Sequence, residues 1–150
     1  MTNDPRLLKI LQSELALMSR AASALQRSWN ECKEINLSNV DMEETDRLEL
    51  LSSRFSRLTD YMIQRIFRLI DELDLEAGGT VRDIINRAEK KGLIENADSF
   101  VHARILRNKI AHEYVEKVMT EIFKEVIKCV PLLLDDVMRT QIYCQHNYQG

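Results

Sequence analysis

The sequence is poor in the residues that break regular structure. Only four glycines and two prolines punctuate 150 residues. Runs of β-branched residues are few, so a sheet-rich fold built on frequent tight turns is excluded. No uninterrupted apolar run approaches the length of a membrane-spanning helix. The first residues, MTNDPRLLKILQSE, carry polar and acidic groups where a secretory signal would have its apolar centre. Cysteine is scarce, odd in number and widely spaced: Cys32, Cys129 and Cys144 show no C-x-x-C or histidine-rich spacing. That pattern offers neither a disulfide framework nor a zinc framework, and a reducing, cytoplasmic location is the expectation. A strong basic excess is also missing. A net charge of −3 argues against a protein that coats nucleic acid by neutralising phosphates, though not against a local basic groove.

The chain is rich in apolar residues spaced three and four apart. At 45% hydrophobic content, 150 residues suffice for a core in one domain spanning 1–150. The expected class is all-α, an up-down bundle of four to five helices. Asp4 before Pro5 suits a helix start, and Leu8, Leu11, Leu15, Met18, Ala22, Leu25 and Trp29 form a heptad-like stripe for the core or a dimer seam. Asn36 to Asp41 reads as a loop. Asp41 with Glu44 has capping-box spacing, opening a helix to about Asp74 with Leu51, Phe55, Leu58, Met62, Ile66, Leu69 and Leu73 inside. Ala77-Gly78-Gly79 is expected to end it. Thr80 with Asp83 opens a short helix closed by Gly92, and Asn96 or Asp98 caps the next, anchored by Phe100, Val101, Ile105 and Ile110. A last helix follows with Val115, Val118, Ile122, Val126, Cys129 and Leu133 inward. Pro131 should kink or stop it near 127–131, and residues 140–150, including His146, should fray.

On an ideal helix Arg54, Arg57, Arg65 and Arg68, with Tyr61 among them, fall within an arc of about 80°. Such a face can wall an RNA groove with a ring for base stacking, or be a solvated surface tied down by Asp60, Glu72 and carboxylates of adjacent helices.

The stretch that carries chemistry is Arg107-Asn108-Lys109-Ile110-Ala111-His112-Glu113-Tyr114. If the helix is continuous, Arg107 and Tyr114 lie within about 20° of one face and Asn108 stacks under His112, with Arg104 one turn before Asn108. Arg107 and His112 are about 140° apart, too far to meet one phosphate unless the helix breaks between them or a second copy completes the site. An imidazole can move a proton near neutral pH, and a guanidinium can fork onto a phosphate as charge builds. The plain alternative is that Arg107 pairs with Glu113 or Glu116 and His112 is a satisfied, partly buried side chain.

Arg107, His112 and Tyr114 read as R-x4-H-x-Y, and the string RNKIAHEY resembles the signature of HEPN domains, in the form found in HepT-like toxins of prokaryotic toxin and antitoxin pairs. The likeness extends upstream through the helix near 46–73 and the segment from Thr80, about two thirds of the chain. The resemblance implies an all-α homodimer with RNA-cleaving sites at the subunit interface and no metal or cofactor. Arg107 and His112 would be its catalytic pair. By their own chemistry Asn108, Tyr114 and Arg104 are the substrate-binding candidates beside them, through hydrogen bonding, stacking and an extension of the polar stripe, with a helix-surface salt bridge an equal alternative for Arg104. It also implies a partner, a minimal nucleotidyltransferase antitoxin that attaches AMP to Tyr114. Related proteins of this type have also been regarded as non-catalytic nucleotide- or substrate-binding companions of nucleotidyltransferases.

Overall fold

Asp4 accepts the Arg6 amide at 2.9 Å and Pro5 occupies the first turn, so helix α1 starts where the sequence places it and runs Pro5–Cys32. The computed structural model describes residues 4–148. A capping box at Asp41 and Glu44, with bonds of 2.7 and 3.1 Å, opens α2, Met42–Tyr61. This helix continues through a π-helical turn, Met62–Phe67, into α3, Arg68–Leu73. The short α4, Val81–Lys91, opens on the reciprocal Thr80–Asp83 bonds. Asn96, rather than Asp98, caps α5, Ala97–His112, by accepting the Ser99 amide at 2.9 Å. Helix α6 spans Glu116–Asn147. Counting α2 to α3 as one rod, the described residues form a bundle of five helices with no strand.

Cross-helix bonds give the directions. Along α1 and α2, Cys32 meets the Arg47 carbonyl, Ser28 meets Arg54 and Glu14 meets Tyr61, so the two run antiparallel. Trp29 with Ile127 and Ser19 with Gln141 make α1 and α6 antiparallel as well. Helix α5 lies against both α2 and α6. The core is one continuous cluster centred on Leu11, Met18, Leu25, Phe55, Phe67 and Phe100. All seven apolar positions assigned to the long second helix are buried.

Four expectations fail for identifiable reasons. The glycine pair does not end the second helix: Leu75 takes φ +61°, and the amides of Leu75 and Glu76 return to the carbonyls of Glu72 and Asp71 at 3.1 and 2.7 Å. Pro131 does not stop α6. Its ring removes the amide that would bond the Ile127 carbonyl, and the Trp29 indole N–H takes that carbonyl at 2.9 Å. The inward sets of α5 and α6 also shift. Ile105, Val115 and Val118 are exposed, while Ala97, Ala103 and Leu106 are buried.

The fourth is the tail. It is helical to Asn147, with Cys144 and Tyr148 buried, because the hydroxyls of Tyr143 and Tyr148 both donate to Asp74. Residues 149 and 150 of the expected frayed segment lie outside the described residues. Burial raises the phenol of Tyr143 to about 12 and that of Tyr148 further, keeping both as donors. Burial pushes Asp74 up too, but the bonds from Tyr148, Tyr143 and Lys91 outweigh it and hold the carboxyl below its usual range.

Buried Asp136 ties α6 to the α4–α5 link by accepting the Glu95 amide at 3.1 Å. Burial lifts its carboxyl to about 7, against the opposing backbone bond. The folded chain therefore holds a proton there that the unfolded chain releases near pH 4. This contribution is fully present below pH 4 and declines as pH rises towards about 7, by at most about 1.4 kcal/mol per unit. Asp136→Asn keeps the acceptor and removes the titration. Urea unfolding between pH 5 and 8 should show the variant gaining on the wild type as pH rises; parallel pH profiles would contradict this.

Candidate functional site

Helix α5 brings the motif to one end of the bundle. It is continuous from Arg107 through His112 and then stops, as the backbone turns extended at Glu113, with φ −94° and ψ 133°. The Glu113 carboxylate accepts the amides of Tyr114 and Val115 at 3.1 and 3.0 Å, which fixes the corner before α6. Two consequences follow. Arg107 and His112 remain about 140° apart on one unbroken helix. Tyr114 lies beyond the helix end, so the expected stacking of Arg107 and Tyr114 on one helical face does not occur.

Arg107 turns toward α2. Its Nε and Nη2 donate to Oδ2 of Asp60 at 2.9 and 2.8 Å, replacing the anticipated partners Glu113 and Glu116. Both partners stay open to water, at 32% and 42% of side-chain surface. Arg107 divides two clefts. One, of about 410 Å³, is walled by Arg57, Asp60, Tyr61, Gln64 and Arg65. The other, about 520 Å³, lies between Ser52, Ser53 and Ser56 of α2 and Ile110, Ala111 and Tyr114. The Oγ atoms of Ser52 and Ser56 are buried beside it without a hydrogen-bond partner among the described residues.

His112 is exposed in the last turn of α5. No hydrogen bond joins it to Arg107, and neither cleft lined by Arg107 includes it. Arg104, Asn108 and His112 form a separate stripe at four-residue spacing, with Asn108 exposed and Arg104 half-buried. Tyr114 is 90% exposed. One chain thus presents the five motif groups on neighbouring surfaces and does not gather them into one pocket.

The arginine stripe divides. Arg54 points inward, donating to Ser28 Oγ at 2.7 Å and the Ala24 carbonyl at 3.0 Å. Tyr61 bonds Glu14, so its hydroxyl is a packing contact on α1. Arg68 bonds Gln64, while Arg57 and Arg65 face the cleft with Arg107. The π-helical turn at 62–67 resets the angular register on which the four-arginine arc depended.

A further group was invisible in the spacing along the chain. The donor atoms of His102, Glu125 and Cys129 lie within 4.8 Å of one another, the imidazole from α5 and the other two from α6. No protein-family model matches the chain, and comparison with curated proteins and with solved structures gives no match either.

Proposed function

We propose that the chain is a HepT-like endoribonuclease of the HEPN type, acting in the cytoplasm as a homodimer and restrained by a minimal nucleotidyltransferase that attaches AMP to Tyr114. The observation that carries this reading is that Arg107 and His112 both reach water at the same end of the bundle. Their separation on one helix asks for a second copy, so that the arginine of one site and the imidazole beside it come from two chains. The exposure of Tyr114, Val115 and Val118 next to His112 supports a contact at this corner. Tyr114, almost wholly exposed, is accessible to a modifying enzyme.

In the reaction an imidazole takes the proton of an RNA 2′-hydroxyl as its oxygen attacks the adjacent phosphorus. The bond from phosphorus to the 5′-oxygen breaks, and that oxygen leaves with the proton that the imidazolium so formed hands on to it. Arg107 stabilises the charge on the non-bridging oxygens. The nucleophile belongs to the substrate, so a 2′,3′-cyclic phosphate is left and no activated water is required. AMP on Tyr114 would put bulk and negative charge where the RNA backbone must lie.

Incubation of the purified chain with RNA in the presence of chelator tests this. Fragments ending in 2′,3′-cyclic phosphate are expected from the wild type and not from Arg107→Ala or His112→Ala. Equal cleavage by all three proteins would overturn the assignment. A second reading, a non-catalytic subunit that binds nucleotide or substrate for a nucleotidyltransferase, draws on the Arg107–Asp60 pair, which occupies the guanidinium in the resting chain. Binding of RNA or nucleotide without cleavage would favour it.

A further inference from the structure

The cluster between α5 and α6 is distinct from the motif end of the bundle and belongs to a different chemistry. Glu125 and Cys129 are four residues apart and share one face of α6. Across from them, His102 Nε2 stands 3.6 Å from Glu125 Oε2. We propose that His102, Glu125 and Cys129 form a three-ligand site for a borderline-soft divalent cation of the zinc class, clipping α5 to α6.

Zinc bonds nitrogen and oxygen donors at about 2.0–2.2 Å and thiolate sulfur at about 2.3 Å, so tetrahedral ligands stand roughly 3.3–3.8 Å apart. The imidazole and carboxylate already have that separation. With all three donors inside 4.8 Å, closing the site asks for a movement of about 1 Å, within reach of side-chain rotation. The donor set also selects the ion. A thiolate and an imidazole disfavour magnesium and calcium, which prefer all-oxygen shells, and suit zinc or cobalt.

The surroundings agree. An adjoining cavity of about 290 Å³, lined by Asp98, His102, Cys129 and Asp136, leaves room for water in the fourth position. The Lys128 ammonium is 3.9 Å from Glu125 Oε1 but mostly exposed, free to swing away when a cation arrives. Burial, then Glu125, raises the Cys129 thiol, so binding releases its proton and tightens as pH rises. A bound ion would join α5 to α6 across the corner that carries His112 and Tyr114. The site stands or falls independently of the ribonuclease reading.

Titration of the reduced chain with Co²⁺ tests the site directly. One equivalent should bring up a thiolate-to-cobalt charge-transfer band and four-coordinate visible bands, both removed by Zn²⁺. Zn²⁺ should also raise the thermal midpoint. His102→Ala changes an exposed side chain and keeps the test independent of folding; it should weaken binding by about 10-fold or more. Cys129→Ser should abolish the charge-transfer band, and Cys32→Ser and Cys144→Ser should retain it. No band in the wild type, a band that survives Cys129→Ser, or undiminished binding by His102→Ala would overturn the assignment.

Discussion

His112→Ala is expected to lower RNA cleavage by about 10²–10⁴-fold while leaving the unfolding midpoint where it is. The imidazole is exposed and packs in no core, so its removal should cost no more than about 0.5 kcal/mol. Arg107→Ala should behave alike, losing about 10²–10³-fold in kcat. Its one ion pair joins two half-exposed side chains, and such surface pairs contribute about 1 kcal/mol at most. A structural role for either residue predicts the opposite split, with stability falling and little else changing. Asp60→Asn sharpens the distinction. The phosphate must compete with Asp60 for the guanidinium, so weakening that bond should lower KM with kcat retained. A fall in kcat at constant KM would show instead that Asp60 positions Arg107 for chemistry.

The helices were legible because their signals are local. Asp4-Pro5, Asp41 with Glu44 and Thr80 with Asp83 cap the helices they were expected to cap, since each device needs only neighbouring residues. What failed depended on distant partners. Nothing near Pro131 announces that Trp29, about a hundred positions earlier, will take the carbonyl proline leaves free. Nothing in QIYCQHNYQG announces that Asp74 will anchor two of its tyrosines. The motif was visible as a string, whereas its geometry depended on where α5 ends and on which carboxylate Arg107 finds. Composition cannot supply either. The His102 cluster stayed hidden for the same reason: its imidazole comes from one helix and its other two donors from the next.

Asp71→Ala should be among the most damaging single changes in the chain. This carboxylate is 2% exposed and holds two cations from α4: Arg87 at 2.9 Å and Lys91 at 2.8 Å. Lys91 is itself nearly buried and reaches Asp74 at 3.1 Å, so the end of α3, the short α4 and the tyrosines of α6 converge on one network. Removing Asp71 leaves an ammonium out of water with one partner fewer. Breaking a buried pair in this way costs about 3–5 kcal/mol, a large share of the roughly 5–15 kcal/mol that holds a domain together. Much of that cost is the stranded charge rather than the lost attraction. The double change Asp71→Leu with Lys91→Met should therefore recover part of the stability that Asp71→Ala loses: apolar groups of similar size need no partner, and Asp74, which loses Lys91, keeps the hydroxyls of Tyr143 and Tyr148. Arg87 can still reach the Gly78 carbonyl, at 2.6 Å, and solvent. Urea denaturation of the three proteins decides the matter: a double variant no more stable than Asp71→Ala would mean that the ion pairs themselves, and not the avoidance of an unpaired charge, hold α4 in place.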